Sequence, residues 1–126
     1  MTTPLHRYVE AFNARDFDQM TSVFAPDLHT IHPGEPDVDV VSSAPFLERM
    51  RALWPRGIVY ELRQVMTDGD CSQEARVWGE LLALQADGTP LASELVLYRI
   101  SAGLVDQITV YKQMHPTHSA YLASTR

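Results

Sequence analysis

Cysteine occurs once in the 126 residues, at Cys71. A lone cysteine excludes an intramolecular disulfide and cannot build a Cys-rich zinc site. Basic residues are also few: 10 Lys and Arg stand against 16 Asp and Glu, a net charge of -6 with histidine neutral. Nucleic acid and anionic membrane surfaces both need a dense basic footprint, so neither is an expected partner. No apolar run approaches the roughly 18 residues of a membrane-spanning helix. The opening Met1-Thr-Thr-Pro-Leu-His-Arg7 lacks the apolar core of a secretion signal. Together these absences lead to the expectation of a soluble, cytoplasmic protein. What is present is globular material, 45% apolar and 21% charged, in a length that suits a single domain over residues 1–126.

The first half carries helical periods. Thr3 and Pro4 supply a cap and a first helical residue, and Leu5, Tyr8, Val9 and Phe12 follow at i, i+3, i+4 and i+7. Asp16 with Gln19 predicts a second short helix with Phe17, Met20, Val23 and Phe24 as its stripe, ended by Pro26-Asp27. Leu28 to His32 reads as a short strand closed by Pro33-Gly34. Val38, Val40 and Val41 suggest an edge strand, against Pro36 and the surrounding acids, which suggest a loop. Ser42 or Ser43 caps a third helix with Phe46, Leu47, Met50, Leu53 and Trp54, stopped by Pro55 and Gly57.

After residue 57 the period becomes two. Ile58, Tyr60 and Leu62 alternate with Val59, Glu61 and Arg63, and Thr67-Asp-Gly-Asp70 predicts a turn. Long strands are expected over Glu74 to Leu84, Leu91 to Ile100 and Leu104 to Gln113, joined by Asp87-Gly88 and Ala102-Gly103. Pro116 to Ser124 is read as a short helix or a tail. Three helices followed by a meander predict an α+β, cone-shaped domain. In it the N-terminal helices pack on a strongly curved, mainly antiparallel sheet and enclose a pocket.

Several stretches carry a family resemblance: Tyr8-Val-Glu-Ala-Phe-Asn-Ala-Arg-Asp-Phe-Asp18, Val23-Phe-Ala-Pro-Asp27, Ile31-His-Pro-Gly34, Asp87-Gly-Thr-Pro90, Leu97 to Val105 and Val110-Tyr-Lys-Gln113. In their order and spacing the chain resembles the nuclear-transport-factor-two-like superfamily, in its ketosteroid-isomerase and SnoaL-like polyketide-cyclase branch. The resemblance implies that Tyr8 matches an oxyanion-donating tyrosine and that His32 stands where the isomerases place a proton-shuttling aspartate. Their second donor, a protonated aspartate, falls near Val96 and is absent. Glu94, two residues earlier and on the same strand face, is the substitute acid. Where SnoaL-like cyclases often carry an acid at the end of the last strand, this chain has Gln113. The resemblance further implies a homodimer through sheet faces, which Leu82, Leu84, Leu95 and Leu97 would allow.

The expected activity is acid–base chemistry without a cofactor on an apolar, oxygen-bearing small molecule, as isomerase, cyclase or dehydratase (a lyase). An unperturbed imidazole, with a pKa of about 6.5, both takes and gives a proton near neutrality. The catalytic set is therefore His32, Tyr8 and Glu94, with Phe24, Trp54, Trp78, Tyr98, Tyr111 and Gln113 as substrate-binding residues. The hairpin register at Asp87-Gly88 decides whether Arg76, Trp78 and Glu80 face inward or outward. The convex, outward assignment is favoured, and only a concave one would put Trp78 in the pocket. His29 and His32 are three apart on one strand and point to opposite faces, so no shared metal is expected. His115 and His118 flank Pro116 and are read as solvated. The alternative is a non-catalytic ligand-binding or dimerisation module, and an epoxide hydrolase ranks last because no suitable Asp–Arg–Asp set is evident.

Overall fold

The first helix begins where the sequence supplies its cap. In the computed structural model, which describes residues 2–114, α1 spans Pro4–Asn13 and buries Leu5, Tyr8, Val9 and Phe12. The Thr3 hydroxyl accepts from the His6 amide at 3.3 Å, and His6 Nδ1 accepts from the Thr3 amide at 3.1 Å. Histidine thus fills the reciprocal place that glutamate usually takes in a capping box. The second helix, α2, spans only Phe17–Thr21, with the Asp16 carboxylate accepting from the Gln19 amide at 3.1 Å.

Val23 and Phe24 do not continue that helix. Phe24 opens β1 (Phe24–Ile31) and pairs in parallel with Val105. Pro26 does not end an element either: it lies inside β1, where the register shifts between Phe24 and His29, on the edge of the sheet. An edge strand with a bulge tolerates a residue that lacks an N–H. The edge strand suggested around Val38 to Val41 does not form. Pro36–Val38 makes one 3-10 turn instead, and Val40 reaches β1 only through Thr30, by backbone and hydroxyl bonds of 3.0 and 2.9 Å. The third helix, α3, spans Ser43–Arg51; Trp54–Arg56 adds a 3-10 turn that closes on Gly57 at φ +74°.

Four long strands follow: β2 (Val59–Gly69), β3 (Ala75–Leu84), β4 (Pro90–Ser101) and β5 (Leu104–Met114). The turn expected at Thr67–Asp70 sits slightly later, because Gly69 still pairs with Ala75 and the Asp70 carboxylate then accepts from the Ser72 amide and hydroxyl. The sheet order is β1-β5-β4-β3-β2, parallel only between β1 and β5. The result is an α+β fold of three helices on one face of a five-stranded mixed sheet. The expected C-terminal helix, with His115 and His118, lies outside the described residues.

Alternation assigns the faces. Ala75, Val77, Leu81 and Ala83 of β3 are buried against the helices, whereas Arg76 and Glu80 are exposed. Gly79 is the gap in this inner row: a Cβ there would collide with Leu5, so the glycine lets α1 sit directly on β3. Among the described residues no helix is long and apolar enough to cross a membrane.

One side chain ties α1 to the sheet edge. Asn13 donates from Nδ2 to the Tyr60 carbonyl at 2.8 Å and accepts the Tyr60 amide at 2.9 Å. It stands in for a missing neighbouring strand. Asn13→Ala leaves both backbone groups unpaired, and we expect a loss of about 1–3 kcal/mol in urea unfolding.

Candidate active site

Between α3, the segment after β1 and the concave side of the sheet lies a cavity of about 190 Å³. Its inner walls are Tyr8, Phe46, Leu81, Val96, Tyr98 and Ile108. Towards the mouth it is bounded by His32, Glu35, Arg49, Glu94 and Lys112. A wider groove of about 600 Å³ continues outward, sharing His32, Glu35, Glu94, Val110 and Lys112 and adding Tyr111 and Gln113.

His32 follows the last residue of β1 and is the next inward position after Leu28 and Thr30, both buried. Its backbone amide donates to Asp39 Oδ1 at 2.6 Å, and its ring Nδ1 lies 3.0 Å from the same oxygen. A carboxylate accepts only, so Nδ1 carries a proton and donates; in the neutral ring the lone pair is then on Nε2. The loop from Pro33 to Asp39 is thereby folded back on the ring, and Arg49 Nη1 fastens it again through the Val38 carbonyl at 2.7 Å. The histidine side chain keeps 18% of its surface exposed, enough for access from the mouth.

The cavity holds three phenols. Burial pushes Tyr8, Tyr60 and Tyr98 well above the ordinary tyrosine range, and the nearby Glu94 adds to it in each case. All three therefore remain neutral O–H groups able to donate. Tyr60 is electrostatically coupled to both Tyr8 and Glu94. Its hydroxyl also lies 4.0 Å from Met50 Sδ, a soft acceptor that competes weakly with a carboxylate. Burial raises the Glu94 carboxyl above the usual glutamate range, opposed by Lys112, His32 and the Tyr60 hydroxyl. An acid held towards its neutral form beside an imidazole and phenols is the set of groups that proton transfer to and from oxygen requires.

The structure brings His32, Tyr8, Glu94 and Tyr98 to one cavity. Phe24 stands behind it, edge-on to Tyr8 and Phe46 at 5.4 and 5.2 Å. Trp54 is not in the lining; it packs on Phe12 and Phe17 at 6.0 and 6.4 Å, and its buried Nε1 has no partner among the described residues. Trp78 lies on the outer face, as the favoured register implied, because it alternates with the buried Val77 and Gly79. Tyr111 and Gln113 border the outer groove rather than the inner cavity. His29 is exposed on the side of β1 opposite His32, and no cluster of His, Cys, Asp or Glu among the described residues could hold a metal ion. Sequence reasoning missed Tyr60, Asp39, Arg49 and Lys112. Tyr60 was legible as the inward partner of Ile58 and Leu62, and Lys112 as the inward neighbour of Val110. Asp39 and Arg49 carried no signal, since only the folded loop brings them to His32 and Val38.

Helices gathered on the concave side of a curved sheet, with polar groups at the mouth of an apolar hollow, define the class. Residues 5–107 match the model of the SnoaL-like domain, and the chain belongs to that family. A candidate ketosteroid isomerase from Kribbella flavida shares the fold at 17% identity, with 94% of this chain and 84% of that one covered and a TM-score of 0.73. A candidate polyketide cyclase from Sinorhizobium meliloti does so at 18% identity, covering 87% and 94%, with a TM-score of 0.68. A protein of unknown function with a cystatin-like fold from Nostoc punctiforme is similar at 13% identity, covering 90% and 87%, also at 0.68. Identities this low show the common fold alone. A comparison with curated proteins finds no match.

The raised Glu94 carboxyl has a consequence for stability. A pKa higher in the fold than in the unfolded chain means that the native state holds the proton more tightly. The penalty for ionising Glu94 is absent below the unfolded glutamate pKa and grows as pH rises through the folded one. Glu94→Gln removes it. We expect the variant to melt at a higher temperature than the parent at pH 8 and at the same temperature at pH 3.5, by thermal denaturation across that range.

Proposed function

We propose that this protein is a cofactor-independent acid–base enzyme of the isomerase, cyclase or dehydratase type, acting on an apolar small molecule that bears a carbonyl. The observation that carries this reading is the convergence of an Asp39-anchored His32, the Tyr8 and Tyr98 phenols and the buried Glu94 carboxyl on one hollow. His32 Nε2 removes a proton from the carbon beside the carbonyl. The electron pair of the C–H bond moves into the enolate, whose oxygen receives hydrogen bonds from Tyr8 and from protonated Glu94. Return of the proton to another carbon completes an isomerisation; attack of the enolate on a second carbonyl closes a ring; loss of a β-hydroxyl as water gives dehydration. All three share the first step. Asp39 is a positioning residue, fixing the tautomer and the plane of the ring.

Deuterium exchange tests the shared step without knowledge of the natural substrate. We expect the protein to accelerate exchange at the α-carbon of 2-cyclohexenone in D2O, followed by NMR. His32→Ala should lose about 10²–10⁴-fold of that rate, and Asp39→Asn should lower it without weakening binding of the ketone. Binding of small ketones with no exchange above the buffer rate favours the non-catalytic ligand-binding module.

The outer sheet face supports self-association. Cross-strand pairing places Met66, Trp78 and Leu97 in one row of that face. Met66 keeps 68% of its surface exposed. We propose that two copies pair through this row. Light scattering at micromolar concentration should give twice the 14.2 kDa chain mass, and Leu97→Lys should return it to the monomer value.

A further inference from the structure

Cavity size bears on what the site can take. An apolar cavity of about 150 Å³ encloses a benzene molecule, and pockets for drug-sized ligands run from roughly 300 Å³ upward. The inner hollow, at about 190 Å³, is therefore one ring in size. Its far end is closed by side chains that have little room to retreat, since Tyr8, Tyr98, Leu81 and Val96 are each at most 2% exposed. A fused polycycle does not fit behind His32. The outer groove is three times larger and joins the hollow at His32, Glu94 and Lys112.

Chemistry changes across that junction. The groove offers the exposed Tyr111 ring and Leu95 as an apolar shelf, bordered by the Gln113 amide, the Lys112 ammonium and the Glu35 and Glu80 carboxyls. Lys112 borders both compartments and is in no ion pair within 4.0 Å among the described residues, unlike Arg51, Arg63 and Arg99. Arg49, the other cation of the mouth, already holds the Val38 carbonyl. Lys112 faces Glu94 across the β4–β5 pair and counters its carboxyl, so its ammonium is open to a substrate anion to the extent that Glu94 keeps its proton.

We propose that the substrate is bipartite, with a one-ring apolar head seated in the inner hollow and a carboxylate-bearing tail laid along the outer groove against Lys112. The junction between head and tail then lies beside His32. This assignment rests on the acid–base reading for the place of reaction, but its content is the division of the ligand between two compartments.

Binding of four probes, measured by calorimetry on the intact protein, tests it: phenol, 3-(4-hydroxyphenyl)propionate, the corresponding propionamide and estradiol. The propionate should bind about tenfold tighter than phenol, reflecting the added contact along the groove. It should exceed the amide by about three- to fivefold, the scale of an exposed ion pair, and Lys112→Gln should erase that difference. Estradiol, which shares the phenol but adds three fused rings, should bind no tighter than phenol. Tighter binding of estradiol than of the propionate overturns the proposal, as does equal binding of acid and amide by the parent protein, or no binding by any of the four at millimolar concentration. His32→Ala should preserve the order. If the order holds and no deuterium exchange occurs, the acid–base reading fails while the division of the ligand stands. Exchange that is faster on fused-ring ketones than on one-ring ketones has the opposite meaning.

Discussion

The Tyr8 ring packs against Phe12, Phe24, Phe46, Tyr60 and Tyr98, with centroid separations of 5.4 to 6.5 Å. Those partners come from α1, β1, α3, β2 and β4, so one side chain touches four elements besides its own. Aromatic rings are large and stiff, and tilted or edge-on pairs add about 0.5–1.5 kcal/mol each beyond burial. Three short helices cannot cover the whole concave side of five strands. Around Tyr8 the space is filled with rings; beyond its hydroxyl it is not. The hollow is what remains on the unfilled side of this cluster.

The same packing explains the electrostatics. Phenols and a carboxyl placed among Phe46, Leu81 and Val96 lose water, so their charged forms are disfavoured. The phenols then border a region of low polarity, where a hydrogen bond is electrostatically stronger than in water. His32 is different. It sits at the mouth on a loop, and its orientation is set by the Asp39 carboxylate, which grips both its backbone and its ring. The interior phenols and the loop-borne His32 are thus held by separate means.

Much of the fold was legible because the hydrophobic periods are clean. The 3.6 period of Leu5, Tyr8, Val9 and Phe12 and the alternation of β3 to β5 specify helix and strands locally. The errors fell where local signals compete. Val23 and Phe24 extend a helical stripe, yet β1 needs them beside β5, and parallel pairing with a strand some eighty residues later leaves no local trace. Proline reads as a breaker, but at Pro26 the edge position removes the need for its N–H. The valines near 40 read as a strand, whereas Pro36 and the Asp39 bond to His32 hold that segment as a loop.

The sequence by itself determined the first helix, the long strands and the shared parity of Glu94 with Tyr98, because each depends on spacing within one segment, and the order of its motifs along the chain gave the family. Only the tertiary structure decided which groups meet. Asp39 reaches His32, Tyr60 meets Tyr8, and Lys112 stands at the waist between two compartments because segments distant in the chain were brought side by side. Trp54 was expected in the pocket by its helical stripe, but the chain turns at Gly57 and sends its ring to Phe12 and Phe17. Periodicity fixes the face a side chain points to; the volume left on that face depends on how every other element packs, and no single segment encodes it.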